Sequence, residues 1–167
     1  MNVTFKCVVT LEQINVVINL ANTIWTEHYT PIIGKDQVAY MLRTYHSVHT
    51  ISKEVNDKDT YYYLIFRGSS PVGYVGIRVE EKNLFLSKIY ILSQERGYGL
   101  GRQAVEFIKD FASTKQLEKI TLTVNKNNVD TIASYKKMGF KITGNLCLDI
   151  GEGYVMDDYA MELSCHL

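Results

Sequence analysis

The chain has 167 residues, of which 46% are hydrophobic and 22% charged, and this balance predicts one globular domain over residues 1–167. Lys plus Arg and Asp plus Glu each number 18, so the chain lacks the basic excess by which nucleic-acid-binding proteins attract phosphates. No apolar run is long enough to span a bilayer, and the N-terminus lacks the pattern of a signal peptide. We therefore expect neither a nucleic-acid partner nor a membrane partner.

The first half of the chain predicts a strand and two helices. Thr10 and Gln13 have the spacing of a capping box, and apolar residues at helical spacing follow them. Polar residues around Pro31 then predict a loop, and a short amphipathic pattern predicts a second helix. The predicted spans are a strand at 3–9, a helix at 11–25, a loop at 26–34 and a helix at 38–45.

From residue 60 the apolar residues alternate, which predicts strands. Gly139 is expected to cap the C-terminal end of the last helix. The predicted strands are 61–67, 72–79, 84–92, 120–124, 140–143 and 154–163, and the predicted helices are 100–111 and 129–138. The order β-α-α-β-β-β-α-β-α-β-β indicates a single α/β domain of the mixed α+β kind.

The cysteines and histidines form no metal-binding or disulfide pattern. Cys7, Cys147 and Cys165 are widely separated, which fits free thiols in a reducing compartment and favours a cytoplasmic location. His46 and His49 are three residues apart, but no third ligand lies near them in the sequence. We predict no metal site.

A glycine-rich segment, Arg96-Gly97-Tyr98-Gly99-Leu100-Gly101, lies between a predicted strand and a predicted helix. The first turn of a helix leaves backbone N–H groups unpaired, and its dipole favours an anion there. Gly99 and Gly101 would let phosphate oxygens approach the backbone, and Arg96 and Arg102 would add positive charge. The segment therefore predicts a pyrophosphate site, and a simple connecting turn is the alternative.

The run from Gly99 to Ala104 also matches G-x-G-x-x-A, the fingerprint of dinucleotide-binding enzymes. That fingerprint expects an acidic residue at the end of the next strand. Glu118 instead precedes the strand Ile120–Val124, which ends at Asn125, and the strands before the glycines have the pattern of an antiparallel meander. A dinucleotide oxidoreductase is therefore disfavoured.

Two stretches resemble the GCN5-related N-acetyltransferase (GNAT) family. Ile89-Tyr90-Ile91 through Arg96-x-x-Gly99-x-Gly101 matches the family's R/Q-x-x-G-x-G/A coenzyme A motif. Asn128-x-x-x-Ile132-Ala133-x-Tyr135-x-Lys137-x-Gly139-Phe140 resembles the helix and strand that close over the coenzyme. The resemblance implies a mixed, mostly antiparallel central sheet flanked by helices, and acetyl-CoA as the co-substrate.

The resemblance also implies roles for single residues. The backbone of Ile89 and Ile91 would pair with the pantetheine arm, and Asn128 would bind nearer the thioester. Tyr135 matches the family's usual proton donor, since a phenol of pKa about 10 can protonate a departing thiolate. The cofactor-binding set is Ile89, Tyr90, Ile91, Arg96, Gly97, Tyr98, Gly99, Leu100, Gly101, Arg102, Asn128 and Tyr135.

The general base is left open. Some family members carry a glutamate where this chain has Thr123, so the alternatives are Glu27, Glu80, Asp157 or a chain of water molecules. By alternation Asp157 falls on an apolar face of the last strand, where a carboxylate needs a partner unless a bulge turns it outward.

The acetyl acceptor is predicted to be a small-molecule primary amine. Glu27, His28 and Tyr29 lie in a region that often borders the acceptor site in the family, and with Asp157 they form the predicted substrate set. Acidic residues near that region, among them Asp158, would attract a polyamine, although ordinary surface charge also explains them. A protein N-terminus, an aminoglycoside and a non-catalytic acetyl-CoA sensor are alternatives, and edge strands near the C-terminus favour a homodimer.

Overall fold

The computed structural model describes residues 2–165, which form seven strands and five α-helices. The strands belong to one sheet in the order β1-β2-β3-β4-β5-β7-β6, in which only β4 and β5 are parallel. The predicted mixed, mostly antiparallel sheet with flanking helices is confirmed. The elements are β1 (Val3–Cys7), α1 (Leu11–Ile33), α2 (Lys35–Tyr45), α3 (Val48–Val55), β2 (Thr60–Arg67), β3 (Ser70–Glu80), β4 (Asn83–Ile91), α4 (Leu100–Thr114), β5 (Lys119–Asn125), α5 (Val129–Lys137), β6 (Lys141–Gly151) and β7 (Tyr154–Ser164).

The sheet separates two hydrophobic cores. On one face, Ile120, Leu122 and Val124 of β5 are buried in the core that contains the apolar stripe of α4 and part of α5. On the other face, α1 and α3 bury residues such as Ile24 and Ile51 in a second core. Both faces of the central strands are therefore covered, as their nearly continuous apolar sequences require.

The two parallel strands of the sheet diverge. β4 pairs with β5 only from Asn83 to Phe85, opposite Lys119 to Thr121. Beyond that point the backbone groups of β4 that face β5 have no ladder partner in it, and a cleft opens between the strands. This divergence positions the site described below.

The predicted loop at 26–34 is wrong, because α1 continues through Pro31 to Ile33. The predicted capping box at Thr10 and Gln13 starts the helix. Pro31 lacks an N–H and so removes one helical hydrogen bond, but Trp25, Tyr29 and Ile33 lie four residues apart and all pack into the second core. Apolar burial therefore outweighs the local signal of proline.

Two further elements differ from the prediction. The helix α3 was not predicted, although Ser47 accepts from the Thr50 N–H at 3.1 Å as its N-cap and Ile51 is fully buried. Strand β6 runs to Gly151 rather than ending at residue 143. Most of its side chains are exposed, so its sequence lacks the apolar alternation by which a strand is recognised. No helix among residues 2–165 is long and apolar enough to cross a membrane.

Candidate active site

The cleft between β4 and β5 contains a cavity of about 530 Å³. Its walls come from α1, β4, the segment before α4, the first turn of α4, β5 and α5. The predicted site residues that line it are His28, Tyr29, Ile89, Tyr90, Ile91, Arg96, Gly97, Gly99, Leu100, Gly101, Arg102, Asn128 and Tyr135. Tyr98, Glu27 and Asp157 are not part of its wall, and the side chain of Tyr98 is 65% exposed.

One end of the cavity is the N-terminus of α4. Gly99 is the N-cap residue, with a left-handed φ of +79°, and no side chain caps this helix end. The N–H groups of its first turn have no partner within the helix. A Cβ atom at Gly97 or Gly99 would meet no atom within 4 Å, so the backbone is accessible here. With Arg96 and Arg102 beside it, this helix end can bind an anion such as a pyrophosphate.

An ion pair holds the segment that leads into this helix end. The Nε and Nη2 atoms of Arg67, at the end of β2, each donate to the carboxylate of Glu95 at 2.7 Å. Glu95 is 8% exposed and directly precedes Arg96. The hydrogen bonds from Arg67 hold the pKa of the Glu95 carboxyl below its usual range. The two residues lie 28 positions apart in the sequence, which shows no pattern that links them.

The strand β4 forms one wall of the cleft. Its residues from Leu86 to Ile91 line the cavity, and β5 no longer pairs with this part of the strand. The backbone N–H and C=O groups there can pair with another extended, amide-containing chain. This is the geometry that the predicted role of Ile89 and Ile91 requires.

Another part of the cavity wall is formed by α5, which presents Tyr135. The helix ends in a Schellman motif: the Phe140 N–H donates to the Tyr135 carbonyl at 3.0 Å, and the Gly139 N–H donates to the Lys136 carbonyl at 3.1 Å. Gly139 has a φ of +102°, as this motif requires. The ring of Phe140 packs against that of Tyr135, with centroids 5.3 Å apart. Burial, and then the nearby phenol of Tyr29, raise the pKa of Tyr135.

His28 and Asn128 meet across the cavity. The side chain of Asn128 does not cap α5 but accepts from His28 Nε2 at 3.1 Å. The guanidinium of Arg96 lies 3.5 Å from the other ring nitrogen. Burial, and then the charge of Arg96, lower the pKa of His28 below 6.5, so its imidazole is neutral at neutral pH. The continuation of α1 past Trp25 is what brings His28 to this position.

Aromatic side chains cover the cleft on the α1 side. The rings of Trp25, Tyr29 and Tyr74 pack around that of Tyr90. His46 lies behind them, with Nε2 3.1 Å from the Tyr74 hydroxyl, and burial lowers its pKa to about 3. This histidine is therefore neutral and structural. Among residues 2–165 no group of three or more His, Cys, Asp or Glu side chains is arranged to hold a metal ion.

The carboxylates proposed from the sequence lie outside the cavity. Asp157 shares its face of β7 with Tyr159 and Met161, as alternation predicts, but it is exposed and pairs with Lys126 at 3.0 Å. Glu80 pairs with Arg78 at the end of β3. Glu27 accepts from Ser93 at 3.0 Å beside a separate cavity of about 200 Å³.

The buried carboxylate near the cleft is that of the next residue, Asp158. It accepts a hydrogen bond from Thr123, which lines the cavity. Sequence analysis did not identify Asp158 as the buried carboxylate. Two consecutive residues of a strand point to opposite faces, and the covered face at this end of β7 is the one on the α1 side. Met156, two residues earlier, packs into the core on that side, whereas Val155 is 52% exposed.

Solved structures share this fold. The PaiA N-acetyltransferase from Thermoplasma acidophilum, in complex with coenzyme A, superposes with a TM-score of 0.83 over 98% of this chain and 99% of that chain, at 18% identity. The spermidine N-acetyltransferase SpeG from Vibrio cholerae superposes with a TM-score of 0.70 over 98% of this chain and 94% of that one, at 17% identity. At these identities the likeness shows the fold alone.

Sequence comparison identifies the family. The peptidyl-lysine N-acetyltransferase YjaB of Salmonella typhimurium is 33% identical over 85 residues, which cover 50% of this chain and 52% of that protein. The streptothricin acetyltransferase of Escherichia coli is 30% identical over 95 residues, or 56% of this chain and 55% of that protein. The chain thus spans about half the length of these relatives. The family profile described as "Acetyltransferase (GNAT) family" matches residues 19–140, and the chain belongs to this family.

Proposed function

We propose that the chain transfers the acetyl group of acetyl-CoA to a primary amine, with Tyr135 as the general acid. The observation that carries this proposal is the continuity of one cavity, which is lined by the N-terminus of α4, the unpaired part of β4 and Tyr135. An anion site, an extended amide-pairing edge and a proton donor thus line a single cleft. Acetyl-CoA presents a pyrophosphate, an amide-containing arm and a thioester, which are the groups that these three features would bind.

The residues present fit the acetyl donor. Backbone N–H groups at Leu100 to Arg102 and the charge of Arg96 suit the pyrophosphate, and the open Cβ positions of Gly97 and Gly99 allow it to approach. The relative PaiA N-acetyltransferase was solved in complex with coenzyme A, which supports the same ligand here.

Tyr135 is suited to protonate the departing thiolate. Its phenol is buried, and the raised pKa keeps it protonated throughout the neutral range, so the proton is available when the sulfur acquires charge. In the proposed mechanism a backbone N–H of β4 between Ile89 and Ile91, which line the cavity, donates to the developing oxyanion.

The acceptor that we favour is a small-molecule primary amine. The relatives named above are a streptothricin acetyltransferase, a spermidine N-acetyltransferase and a peptidyl-lysine N-acetyltransferase. A specific observation also favours a non-catalytic acetyl-CoA sensor, because Thr123 stands where some family members have a carboxylate. Release of the coenzyme A thiol in the presence of spermidine, a lysine-containing peptide or streptothricin separates these cases, since a sensor would give no release above background.

The test of the mechanism is Tyr135→Phe, which removes a proton and little volume. We expect kcat to fall roughly 100-fold or more while the dissociation constant of coenzyme A changes by less than about threefold. Tyr61→Phe is the matched control, because Tyr61 lies on β2 against Phe111 and does not line the cavity. Equal losses of kcat and coenzyme affinity in Tyr135→Phe would contradict the general-acid role.

A further inference from the structure

Thr123 and Asp158 connect the cleft to a buried carboxylate. Thr123 on β5 lines the cavity, and its hydroxyl donates to the carboxylate of Asp158 on β7. The two strands are neighbours in the sheet, with Thr123 opposite Ala160 and Asn125 opposite Asp158. Thr123 and Asp158 are therefore diagonal neighbours on one face of the sheet, and Thr123 is the one that lines the cavity.

The carboxylate of Asp158 is incompletely satisfied by the protein. The residue is only 3% exposed, and among residues 2–165 no donor pairs with its Oδ1 atom. A buried carboxylate with an unpaired oxygen costs free energy, and such groups persist where they have a chemical use. The adjacent Asp157 provides a contrast, because it is exposed and paired with Lys126.

Tyr29 on α1 is close to both the buried carboxylate and the general acid. Burial and then the charge of Asp158 raise the pKa of Tyr29, and burial and then Tyr29 raise the pKa of Tyr135. Tyr29 is thus within electrostatic range of both groups. Thr123 and Tyr135 both line the cavity that would hold the acceptor amine.

We propose that Thr123 and Asp158 form a hydroxyl–carboxylate relay that removes the proton from the ammonium group of the acetyl acceptor. The inference rests on the proposed acetyl transfer and adds the base that the sequence left open. Some family members have a glutamate at the position of Thr123 on β5. In this chain the carboxylate is on the neighbouring strand β7, and the Thr123 hydroxyl would connect it to the amine.

Protons and charges balance in this step. The ammonium ion transfers one proton to the oxygen of Thr123 while the Thr123 hydroxyl gives its own proton to the Asp158 carboxylate, which leaves a neutral amine and a neutral carboxyl. The amine nitrogen then forms the bond to the acetyl carbon as the carbon–sulfur bond breaks, and Tyr135 protonates the sulfur. The nitrogen loses a second proton, which restores the Tyr135 phenol through solvent, and Asp158 releases its proton to solvent.

The relay predicts an acid limb in the pH profile. Burial raises the pKa of Asp158 to about 6, the Thr123 hydrogen bond opposes this shift, and the charges of Asp157 and Lys126 act in opposite directions. From α1 the group that faces Asp158 is Tyr29, whose own raised pKa keeps it neutral. The ionised base is present above the pKa of Asp158, so kcat/KM for the amine should fall as the pH drops below about 6.

The experiment compares D158N and T123V with D157N and T121V, using the full chain. D157N changes an exposed neighbour, and T121V changes a threonine of β5 that does not line the cavity. With 1,5-diaminopentane as the acceptor, we expect kcat/KM to fall roughly 100-fold or more in D158N and in T123V. The double variant that combines D158N and T123V should lose no more activity than either one. The controls D157N and T121V should stay within about twofold of wild type. With p-anisidine, which is uncharged at neutral pH, D158N should fall less than about tenfold, since no proton has to be removed.

A carbon-13 NMR titration of the Asp158 carboxyl gives a measurement independent of turnover. Its midpoint should lie near 6 in the wild-type chain and higher in T123V, because the hydrogen bond that favours the ionised form is lost. The relay alone would be overturned if the wild-type chain transferred acetyl groups and D158N and T123V left that activity unaltered. It would also be overturned if the T123V midpoint equalled that of wild type. Absence of acetyl transfer by the wild-type chain to every amine tested would overturn the proposed function and the relay with it.

Discussion

Gly99 meets two separate requirements at the start of α4. Its φ of +79° lies in the left-handed region, which costs a residue with a Cβ roughly 1–2 kcal/mol. It also leaves the first helical N–H groups accessible from the cleft, because nothing in the protein occupies the position of a Cβ atom there. The first requirement concerns stability, whereas the second concerns ligand binding.

Substitution can separate these requirements. We expect Gly99→Ala to lower the free energy of unfolding by about 1 kcal/mol and to raise the dissociation constant of coenzyme A at least about tenfold. Gly68→Ala is the matched control, because Gly68 also has a positive φ and open surroundings but lies in the turn between β2 and β3. Calorimetric titration and chemical unfolding of both variants measure the two effects. Equal coenzyme affinities in the two variants would mean that the α4 N-terminus does not bind the phosphates.

Sequence alone could not choose between Asp157 and Asp158. Alternation correctly puts Asp157 on the face of Tyr159 and Met161, but it does not tell how far along β7 that face remains covered. On this face Met161 is buried but Asp157 is exposed, whereas on the opposite face Asp158 is still buried. The extent of cover depends on where the helices end in space, which is a property of the assembled fold.

The segment that leads into α4, which contains Glu95 and Arg96, is held in place by the ion pair between Arg67 and Glu95. In Arg67→Ala the carboxylate loses both hydrogen bonds, so the segment that carries Arg96 becomes less ordered. We expect coenzyme A to bind roughly tenfold more weakly, since ordering this segment then opposes binding. Arg78→Ala is the control, because its pair with Glu80 lies at the end of β3, away from the cavity. Calorimetric titration of both variants measures the difference.

The same ion pair should make stability depend on pH. The folded-state pKa of Glu95 lies below its ordinary value of 4.5, so the contribution of the pair is complete above that pH and is lost as the pH falls through the folded pKa. The difference in unfolding free energy between wild type and Arg67→Ala should therefore shrink in acid below 4.5. A difference that stayed constant down to pH 2 would mean that Glu95 does not titrate against Arg67.

Elements were predictable wherever local pattern and tertiary packing agree. The strand–turn–helix segment around Gly99 and the cap at Gly139 were foreseen, because glycine has a defined backbone role at each. The end of α1 was not, since Pro31 predicts an interruption and only packing of Tyr29 and Ile33 into the second core overrides it. This matters for function because the extra helical turns carry His28 and Tyr29 to the cavity.

At the scale of the whole molecule, the proposed ligand site is a gap in the sheet. The sequence predicts β4 and β5 as strands, but it does not predict the divergence of β4 from β5 after Phe85, because alternation within a strand does not show where its pairing with a neighbour ends. A ligand that fills this gap contacts β4, α4 and α5 at once. Its binding should therefore stabilise the whole fold rather than one element.

This linkage predicts the outcome of a thermal melt. A ligand that binds only the folded chain and is present at 100 times its dissociation constant adds about 2.7 kcal/mol to the free energy of unfolding. For a chain of this size that corresponds to a rise in Tm of roughly 5–11 °C. We expect coenzyme A to give a rise of this order and NAD⁺ to give less than about 1 °C, since β4 runs antiparallel to β3 and the fingerprint at Gly99 lacks its acidic partner. Gly99→Ala should reduce the rise at the same coenzyme concentration, and stabilisation by NAD⁺ but not by coenzyme A would contradict both the site and the proposed acetyl donor.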